Sequence, residues 1–304
     1  MHTMQDKELR FLFVINPASG GKNREDWETL IRHYFQEKPF STEFFVLGEG
    51  SAEESIRHWI EQFKPDRVVA VGGDGTISMV AKILGGTEIS LGILPAGSAN
   101  GMARELNIPL NAANALDLLV DGETKNADVI EINEKSICLH LSDIGMNAKL
   151  IKYFEEGKLR GKWGYARVLL KVFMNKTPML VKIHSKEHQL IRKAFMVVLA
   201  NASKYGTGAV INPTGNLYDG LFEVVIIRRL ALSEILKSIF RSRAFNPKKF
   251  EVIQADSVTV NTKHPMHFQI DGEYLGKVNS VTAKILKGYL RIIVPKPEEE
   301  SQSR

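Results

Sequence analysis

Three glycine-rich turns, each directly after an apolar run of strand length, constrain this chain more than any other feature of its sequence. The turn NPASGGK begins at Asn16, GGDGT begins at Gly72, and PAGSANG begins at Pro95. Apolar strands that alternate with helical patterns are typical of a parallel sheet covered on both faces. Ligands of such sheets bind beyond the carboxyl ends of the strands. The sequence therefore predicts that the three turns lie at one edge of one sheet.

The rest of the chain has a different pattern. The first part carries the strand-like runs FLFVIN, TEFFVL, RVVAVGG and SLGILPA with helical stretches between them. The second part carries MLVKIH, LIRKAFMVVLAN, LFEVVII, SVTVNT, HFQID and Ser280–Val294, with helical insertions near Ile151–Met174 and Leu232–Arg241. We predict a nucleotide-binding α/β domain over residues 1–127, a β-rich sandwich or barrel-like domain over 128–294, and a mobile tail over 295–304.

The glycine-rich turns suit the binding of phosphate groups. Without side chains, their backbone amides can approach phosphate oxygens closely, and the following helix N-terminus favours anions. Hydroxyl and amide donors are available at Ser19, Thr76, Ser98 and Asn100. One such turn has an equally good steric explanation, but three along one sheet edge favour binding. The chain has neither a Walker P-loop nor a G-x-G-x-x-G motif.

Asp74 stands between glycines at a predicted helix start. A carboxylate there can hold Mg²⁺ on nucleotide phosphates or accept a proton from an attacking hydroxyl. Equally, Asp74 or Thr76 could simply cap the helix Thr76–Leu84. The position alone leaves both interpretations open.

Composition narrows the class of protein. A single cysteine, Cys138, excludes an internal disulfide and favours the cytosol, and eight histidines without ligand spacing argue against zinc. No G-x-S-x-G elbow supports a serine hydrolase. The net charge is only +5, but Lys149–Lys193 carries 12 basic and 3 acidic residues, and Arg228–Lys249 carries 7 and 1. Such a basic face could meet an anionic membrane surface or nucleic acid, or could be ordinary solvated surface.

The motifs NPASGGK, GGDGT and PAGSANGMAR resemble those of the diacylglycerol kinase catalytic domain family, which includes sphingosine kinases and bacterial lipid kinases. Later segments match in the same order: YGTG from Tyr205, DGL from Asp219, and QIDGE from Gln269. The resemblance implies a nucleotide-binding α/β domain, a β-rich lipid-binding domain, and an active site in the cleft between them. It also implies phosphorylation of a lipid hydroxyl with ATP and Mg²⁺.

The resemblance assigns roles to individual residues. Asp271 matches the general base proposed in bacterial members, whereas sphingosine kinases give that role to the position of Asp74. Glu273 is expected near the metal or nucleotide, and Asp128 in a water-and-metal network. The three phosphate loops comprise Asn16, Ser19 and Gly20; Gly73, Asp74, Gly75 and Thr76; and Gly97, Ser98 and Asn100.

The sequence departs from the family at two positions, where Met79 replaces a glutamate and Gly101 an aspartate. We therefore expect a cytosolic, membrane-peripheral lipid kinase, with two alternatives: an NAD kinase-like enzyme, and a non-catalytic nucleotide- or lipid-binding regulator. No recognised motif supports nucleic-acid binding. The lipid acceptor, the choice of base between Asp74 and Asp271, and a homodimer stay open.

Overall fold

The computed structural model describes residues 9–19, 26–48, 52–156, 178–203, 212, 215–228 and 250–297, with only the backbone for 153–156. These residues form two compact units. Unit 1 contains the chain up to Ala127 and again from Tyr289, and unit 2 is Asp128–Gly288. The end of the last strand therefore belongs to unit 1, although residues up to 294 are predicted from the sequence to lie in the second domain.

Unit 1 has a parallel sheet at its centre. Its strands are β1 (Arg10–Ile15), β2 (Ser41–Val46), β3 (Arg67–Gly72) and β4 (Ser90–Pro95), in the order β4-β3-β1-β2. Its helices are α1 (Trp27–Phe35), α2 (Ala52–Phe63), α3 (Asp74–Leu84), α4 (Gly101–Glu105) and α5 (Ala112–Asp121). The predicted α/β class is confirmed, and each predicted strand lies within one residue of its observed bounds.

Both faces of this sheet are covered, which is why its strands are almost continuously apolar. Phe11 and Phe13 of β1 pack with Phe35 of α1 and with α5 on one face. The alternate residues Leu12 and Val14 are also fully buried, and α2 contacts β1.

Unit 2 is antiparallel and β-rich. Its elements are β5 (Glu123–Ile132, which begins in unit 1), β6 (Ser136–Cys138), β7 (Leu141–Gly145), α6 (Met146–Glu156), β8 (Met179–Ser185), β9 (Gln189–Ala194), β10 (Met196–Ala200), β11 (Phe222–Ile227), β12 (Phe250–Ala255), β13 (Ser257–Ile270) and β14 (Glu273–Val294). Strands pair antiparallel in the order β12-β11-β10-β7-β13, and β13 also pairs with β8 and β14. The predicted β-rich second domain is confirmed.

The tail of β14 completes unit 1. Ile292 pairs in parallel with Leu91 of β4, and the ring of Tyr289 lies against the backbone of Gly85. An ideal Cβ on Gly85 would stand 2.2 Å from that ring, so only glycine fits there. The end of the chain thus supplies a strand to the sheet that the first residues begin.

Several sequence-based expectations differ from the structure. Strands β5 and β12 and the short β7 were not predicted, LIRKAFMVVLAN divides into two strands, and SVTVNT and HFQID form one strand with bulges. The YGTG segment, the helix near Leu232–Arg241, most of the insertion after Glu156, and the tail beyond residue 297 lie outside the described residues. In the described part of the chain, every helix is too short or too polar to cross a bilayer.

Candidate active site

The second and third glycine-rich turns of unit 1 pack backbone against backbone. An ideal Cβ on Gly97 would stand 2.4 Å from the Cα of Gly73, and one on Gly73 would stand 3.2 Å from the Cα of Gly97. Any side chain at Gly97 would push the turns apart, since real Cβ atoms essentially never come within 3.0 Å of another atom. Close packing, rather than backbone freedom, therefore explains the glycine here.

Asp74, the first residue of α3, ties the two turns together with its carboxylate. Its Oδ2 accepts the N–H of Gly101 at 3.0 Å, and its Oδ1 accepts that of Met102 at 2.9 Å. The cap of α3 is Gly73, without a side-chain hydrogen bond. Of the two interpretations of Asp74 that the sequence leaves open, capping of α3 by Asp74 or Thr76 is therefore wrong: Asp74 instead satisfies the first N–H groups of α4.

The first turn is joined to the second by Asn16. Its Nδ2 donates to Oγ1 of Thr76 at 3.0 Å, and its Oδ1 accepts the N–H of Ala18 at 2.9 Å. In the third turn, Asn100 adopts a left-handed conformation (φ 50°), and its Oδ1 accepts the N–H of Gly97 at 2.9 Å. The structure thus brings together residues from all three predicted loops.

The N-terminus of α3 is the part of this arrangement that suits an anion. The N–H groups of Asp74 and Gly75 have no acceptor within the helix, whereas that of Thr76 donates to the carbonyl of Gly73 at 3.0 Å, and Gly73 offers no capping side chain. Gly75 and Ser98 are exposed, Ser19 is half-buried, and Gly20 lies outside the described residues. Open amides, hydroxyls and the helix dipole together fit the phosphates of a nucleotide.

Asp271 of unit 2 holds a strongly hydrogen-bonded carboxylate in the turn between β13 and β14. Its Oδ1 accepts the N–H groups of His140 at 2.9 Å and Leu141 at 3.1 Å, and its Oδ2 accepts that of Leu139 at 2.8 Å. The residue itself is left-handed, with φ at 49°. The surrounding backbone therefore fixes this carboxylate in position.

Cys138 adds a further donor to Oδ1 of Asp271, with its Sγ 3.3 Å away. Burial and, next, the charge of Asp271 raise the pKa of this thiol well above its usual value, so it stays protonated and donates. Among the described residues, Oδ1 thus has three donors, whereas Oδ2 has one. Oδ2 is the oxygen with lone-pair capacity left for a substrate proton.

Asp128, at the start of unit 2, is 4% exposed, and backbone amides occupy both of its oxygens. Oδ2 accepts the N–H of Gly220 at 2.6 Å, and Oδ1 accepts that of Gly288 at 2.7 Å. Glu273 is exposed at the beginning of β14. No group of three acidic, histidine or cysteine side chains arranged for a metal occurs among the described residues, so the roles of Asp74, Asp128 and Glu273 toward Mg²⁺ stay predictions.

Two functional candidates of unit 2, Asp143 and Gln269, were not predicted from the sequence as site residues. Asp143 is fully buried on β7, and burial raises the pKa of its carboxyl from 3.8 to about 6 against the opposing hydrogen bonds. Gln269 was noted only as part of the QIDGE match, although its side chain contacts Asp143. The one sequence signal was an acidic residue directly before an isoleucine in the short segment LSDIG.

Comparisons with known proteins match segments of this chain in both units. Residues 10–132 match the model of the diacylglycerol kinase catalytic domain, and residues 142–294 match that of the YegS C-terminal NAD kinase beta sandwich-like domain. A diacylglycerol kinase of Bacillus subtilis (strain 168) is 26% identical over 304 residues, covering 96% of this chain and 98% of that protein.

Other relatives agree in name and in fold. A probable lipid kinase YegS-like of Klebsiella pneumoniae (strain 342) is 29% identical over 244 residues, covering 77% of this chain and 80% of that protein. The crystal structure of a putative diacylglycerol kinase from Bacillus anthracis str. Sterne superimposes with a TM-score of 0.75 at 22% identity, covering 96% of this chain and 98% of that one. This last similarity supports the fold of the chain.

Proposed function

The chain belongs to the diacylglycerol kinase family, with a diacylglycerol kinase catalytic domain followed by a YegS-type C-terminal domain, and we propose that it is a kinase that transfers the γ-phosphoryl group of ATP to the hydroxyl of a lipid. The relatives named diacylglycerol kinase and probable lipid kinase support this class of reaction and acceptor. A diacylglycerol-like lipid is the acceptor we propose.

The observation that carries the proposal is the open N-terminus of α3 beside the interlocked turns. Its first N–H groups bind phosphate oxygens, while Asn16 and Thr76 hold the first turn against it. Asp74 keeps the third turn in place through Gly101 and Met102, and each of its oxygens retains a lone pair toward a cation. Mg²⁺ commonly binds through one or two carboxylates plus substrate phosphates and waters, which this site can provide.

Asp271 is the proposed base. In the transfer, the lipid hydroxyl oxygen forms a bond to the γ-phosphorus, the bond from that phosphorus to the β,γ-bridging oxygen breaks, and the hydroxyl proton passes to Oδ2 of Asp271. ADP leaves with the bridging oxygen. Bound Mg²⁺ supplies neutralisation of the phosphate charge. The protein contributes positioning and proton acceptance, the two effects that dominate phosphoryl transfer.

The departures at Met79 and Gly101 are compatible with this proposal. Gly101 acts through its backbone N–H, which donates to Asp74, and Met79 is half-buried on α3. Both carboxylates nevertheless accept backbone N–H groups as purely structural carboxylates do, which is a specific reason to keep a non-catalytic regulator as the second candidate.

The test is transfer of label from γ-labelled Mg-ATP into the organic phase of a total lipid extract, with the product identified by mass. Wild type is compared with Asp74→Asn and Asp271→Asn, and Asp256→Asn serves as a control that removes a half-buried carboxylate paired with Lys186. Label in a lipid that both site variants lose and the control keeps supports the kinase. ATP binding without label transfer would favour the regulator, and label on NAD would favour the NAD kinase alternative.

Membrane docking completes the proposal. Lipid acceptors lie in a bilayer, so a peripheral contact with anionic lipid through the basic segments of the second half would bring the site to its substrate. Much of these segments lies outside the described residues. Co-sedimentation with phosphatidylglycerol vesicles, weakened by salt, is the expected result, and equal binding to neutral vesicles would contradict it.

A further inference from the structure

A buried chain of hydrogen bonds leads from Asp143 to the turn that carries Asp271. Oδ2 of Asp143 accepts from Nε2 of Gln269 at 2.5 Å, and Oε1 of Gln269 accepts the N–H of Gly272 at 2.7 Å. Gly272 directly follows Asp271 and also has a positive φ, at 91°. The side chain of Gln269 therefore connects a buried carboxylate to the backbone of this left-handed turn.

The hydrogen-bond partners determine the orientation of the Gln269 amide. The N–H of Gly272 can only donate, so the Gln269 atom that faces it must be the oxygen. The amide nitrogen must then face Asp143, and a carboxylate can accept from it. Asp143 thus determines which end of Gln269 is presented to the turn.

Strand register makes this contact possible. Asp143 of β7 and Gln269 of β13 stand directly opposite each other in an antiparallel pair, so their side chains share one face of the sheet. Gln269 is 1% exposed and Asp143 is 0% exposed. The other oxygen of Asp143 accepts the N–H of Ala148 in α6 at 2.9 Å, and Nδ2 of Asn147 donates to Oδ2 at 2.6 Å. The one carboxylate therefore fixes both the start of α6 and the Asp271 turn.

We propose that Asp143 and Gln269 are positioning residues for Asp271, which hold the left-handed turn so that the carboxylate of Asp271 meets its backbone donors. The inference deepens the proposed function, because Asp271 is the base proposed there. The buried polar pair is otherwise unexplained by the reaction. Taking a carboxylate out of water costs free energy, which the hydrogen bonds from neutral donors only partly offset.

Exchanging the carboxylate of Asp143 and the amide of Gln269 tests whether Asp143 determines how Gln269 meets the turn. In Asp143→Asn, the new amide nitrogen faces Nε2 of Gln269, and rotation of Gln269 would leave two donors facing each other at Gly272. In Gln269→Glu, two carboxylates meet in a buried site and repel each other. The double variant Asp143→Asn with Gln269→Glu restores donor to acceptor at both contacts with the same total charge.

We expect each single variant to lower kcat by about tenfold or more, as the loss of one buried hydrogen bond would, while KM for ATP stays unchanged. The double variant should recover most of the wild-type kcat. Hydrogen exchange of the Gly272 amide should be faster in both single variants and return toward the wild-type rate in the double variant. The exchange measurement requires no activity, so it tests the positioning even if lipid transfer fails.

A matched control separates positioning from loss of stability. Glu223 is also a buried carboxylate of unit 2, 2% exposed on β11, and accepts from the side chains of Asn212 and Gln254. Glu223→Gln should lower the free energy of unfolding without changing the hydrogen exchange rate of the Gly272 amide. The kcat of this variant should equal that of the wild type. Wild-type exchange at Gly272 in Asp143→Asn, or a double variant as impaired as the sum of the singles, would overturn the proposal.

Discussion

The carboxylates of Asp74 and Asp271 are held in two different ways. In unit 1, the half-buried Asp74 joins two glycine turns whose backbones are already in contact. In unit 2, Asp271 lies in a left-handed turn. The buried side chains of Asp143 and Gln269 form a chain of hydrogen bonds to the backbone of that turn. The first site depends on the absence of side chains, and the second depends on the chemical type of the side chains present.

This difference indicates which changes each site can tolerate. The turns of unit 1 should tolerate substitutions that keep the backbone close and should fail when a methyl group is added. The turn of unit 2 has space around Gly272, where an ideal Cβ meets nothing within 4 Å, but its φ of 91° still disfavours a side chain, and the turn should also fail when a donor replaces an acceptor. The comparison also matches the proposed division of labour between phosphate binding and proton acceptance.

The largest expected effect is on catalysis by Asp271→Asn. Removing a general base typically lowers the rate by about 10²–10⁴-fold, so kcat should fall by that order while KM for ATP stays near wild type. Asp74→Asn should instead raise KM for ATP, because one of the two amides of α4 loses its acceptor and the third turn loosens. Steady-state kinetics of the two variants measure this split. If Asp271→Asn weakens ATP binding as much as Asp74→Asn, the division of labour is wrong.

The next largest expected effect is a pH dependence of the free energy of unfolding, caused by the buried carboxylate of Asp143. The pKa of Asp143 is about 6 in the folded protein against an ordinary 3.8. The folded state therefore holds the proton more tightly, and the contribution of Asp143 to the free energy of unfolding falls as pH rises from about 4 to about 6, by roughly 3 kcal/mol in all.

Urea unfolding of wild type and Asp143→Asn at several pH values measures this contribution. Subtracting the variant from the wild type removes the opposite effects of carboxylates whose pKa is lowered by ion pairs, such as Glu251 beside Arg192. The difference between the two free energies should fall between pH 4 and 6 and be constant above. A difference independent of pH would show that Asp143 does not titrate in this range.

A smaller effect is expected when a methyl group is added to the first site. Gly97→Ala places a Cβ 2.4 Å from the Cα of Gly73 and should lower the free energy of unfolding by about 1–3 kcal/mol, with a loss of ATP binding. Gly48→Ala is the matched control, since its Cβ would meet nothing within 4 Å. Thermal unfolding and ATP titration of both variants check the prediction, which equal behaviour of the two would refute.

The smallest effect tests the link between the first and second turns. Thr76→Val removes the oxygen that accepts from Nδ2 of Asn16 and should lower the free energy of unfolding by about 1 kcal/mol. Thr76→Ser keeps the hydroxyl and controls for the altered shape of the side chain. If both variants weaken ATP binding equally, the hydrogen bond to Asn16 does not hold the first turn.

The fold was predictable where burial is continuous. The strands around Phe13 and Val69 have no polar side chain after the arginine with which each begins, because both sheet faces are covered, and such runs are recognisable without knowledge of their partners. Strand β7 was missed because LSDIG contains a serine, an aspartate and a glycine in five residues. Its polar side chains are satisfied in part by the nearby Asn147 and Ala148 and in part by Gln269, which lies more than 120 residues away.

The site was predictable as a set of residues but not as a set of contacts. The repeated glycines identified the turns, yet no local pattern shows that Asp74 accepts from Gly101 and Met102, which lie 27 and 28 positions later. Likewise, the donors to Asp271 lie 130 or more residues earlier. Hydrogen bonds between residues so far apart depend on the tertiary structure. A single sequence therefore indicates them only through its resemblance to a known family.

The return of the chain to unit 1 from Tyr289 has a consequence for biosynthesis. A ribosome releases the residues up to Ala127 long before Ile292, which pairs with Leu91 of β4, has been synthesised. Until then that side of β4 is an uncovered strand edge, the kind of surface that invites pairing with other chains. Unit 2 is continuous in sequence, so we expect it to finish folding first although it is made second, and chains terminated before Tyr289 to require protection by chaperones.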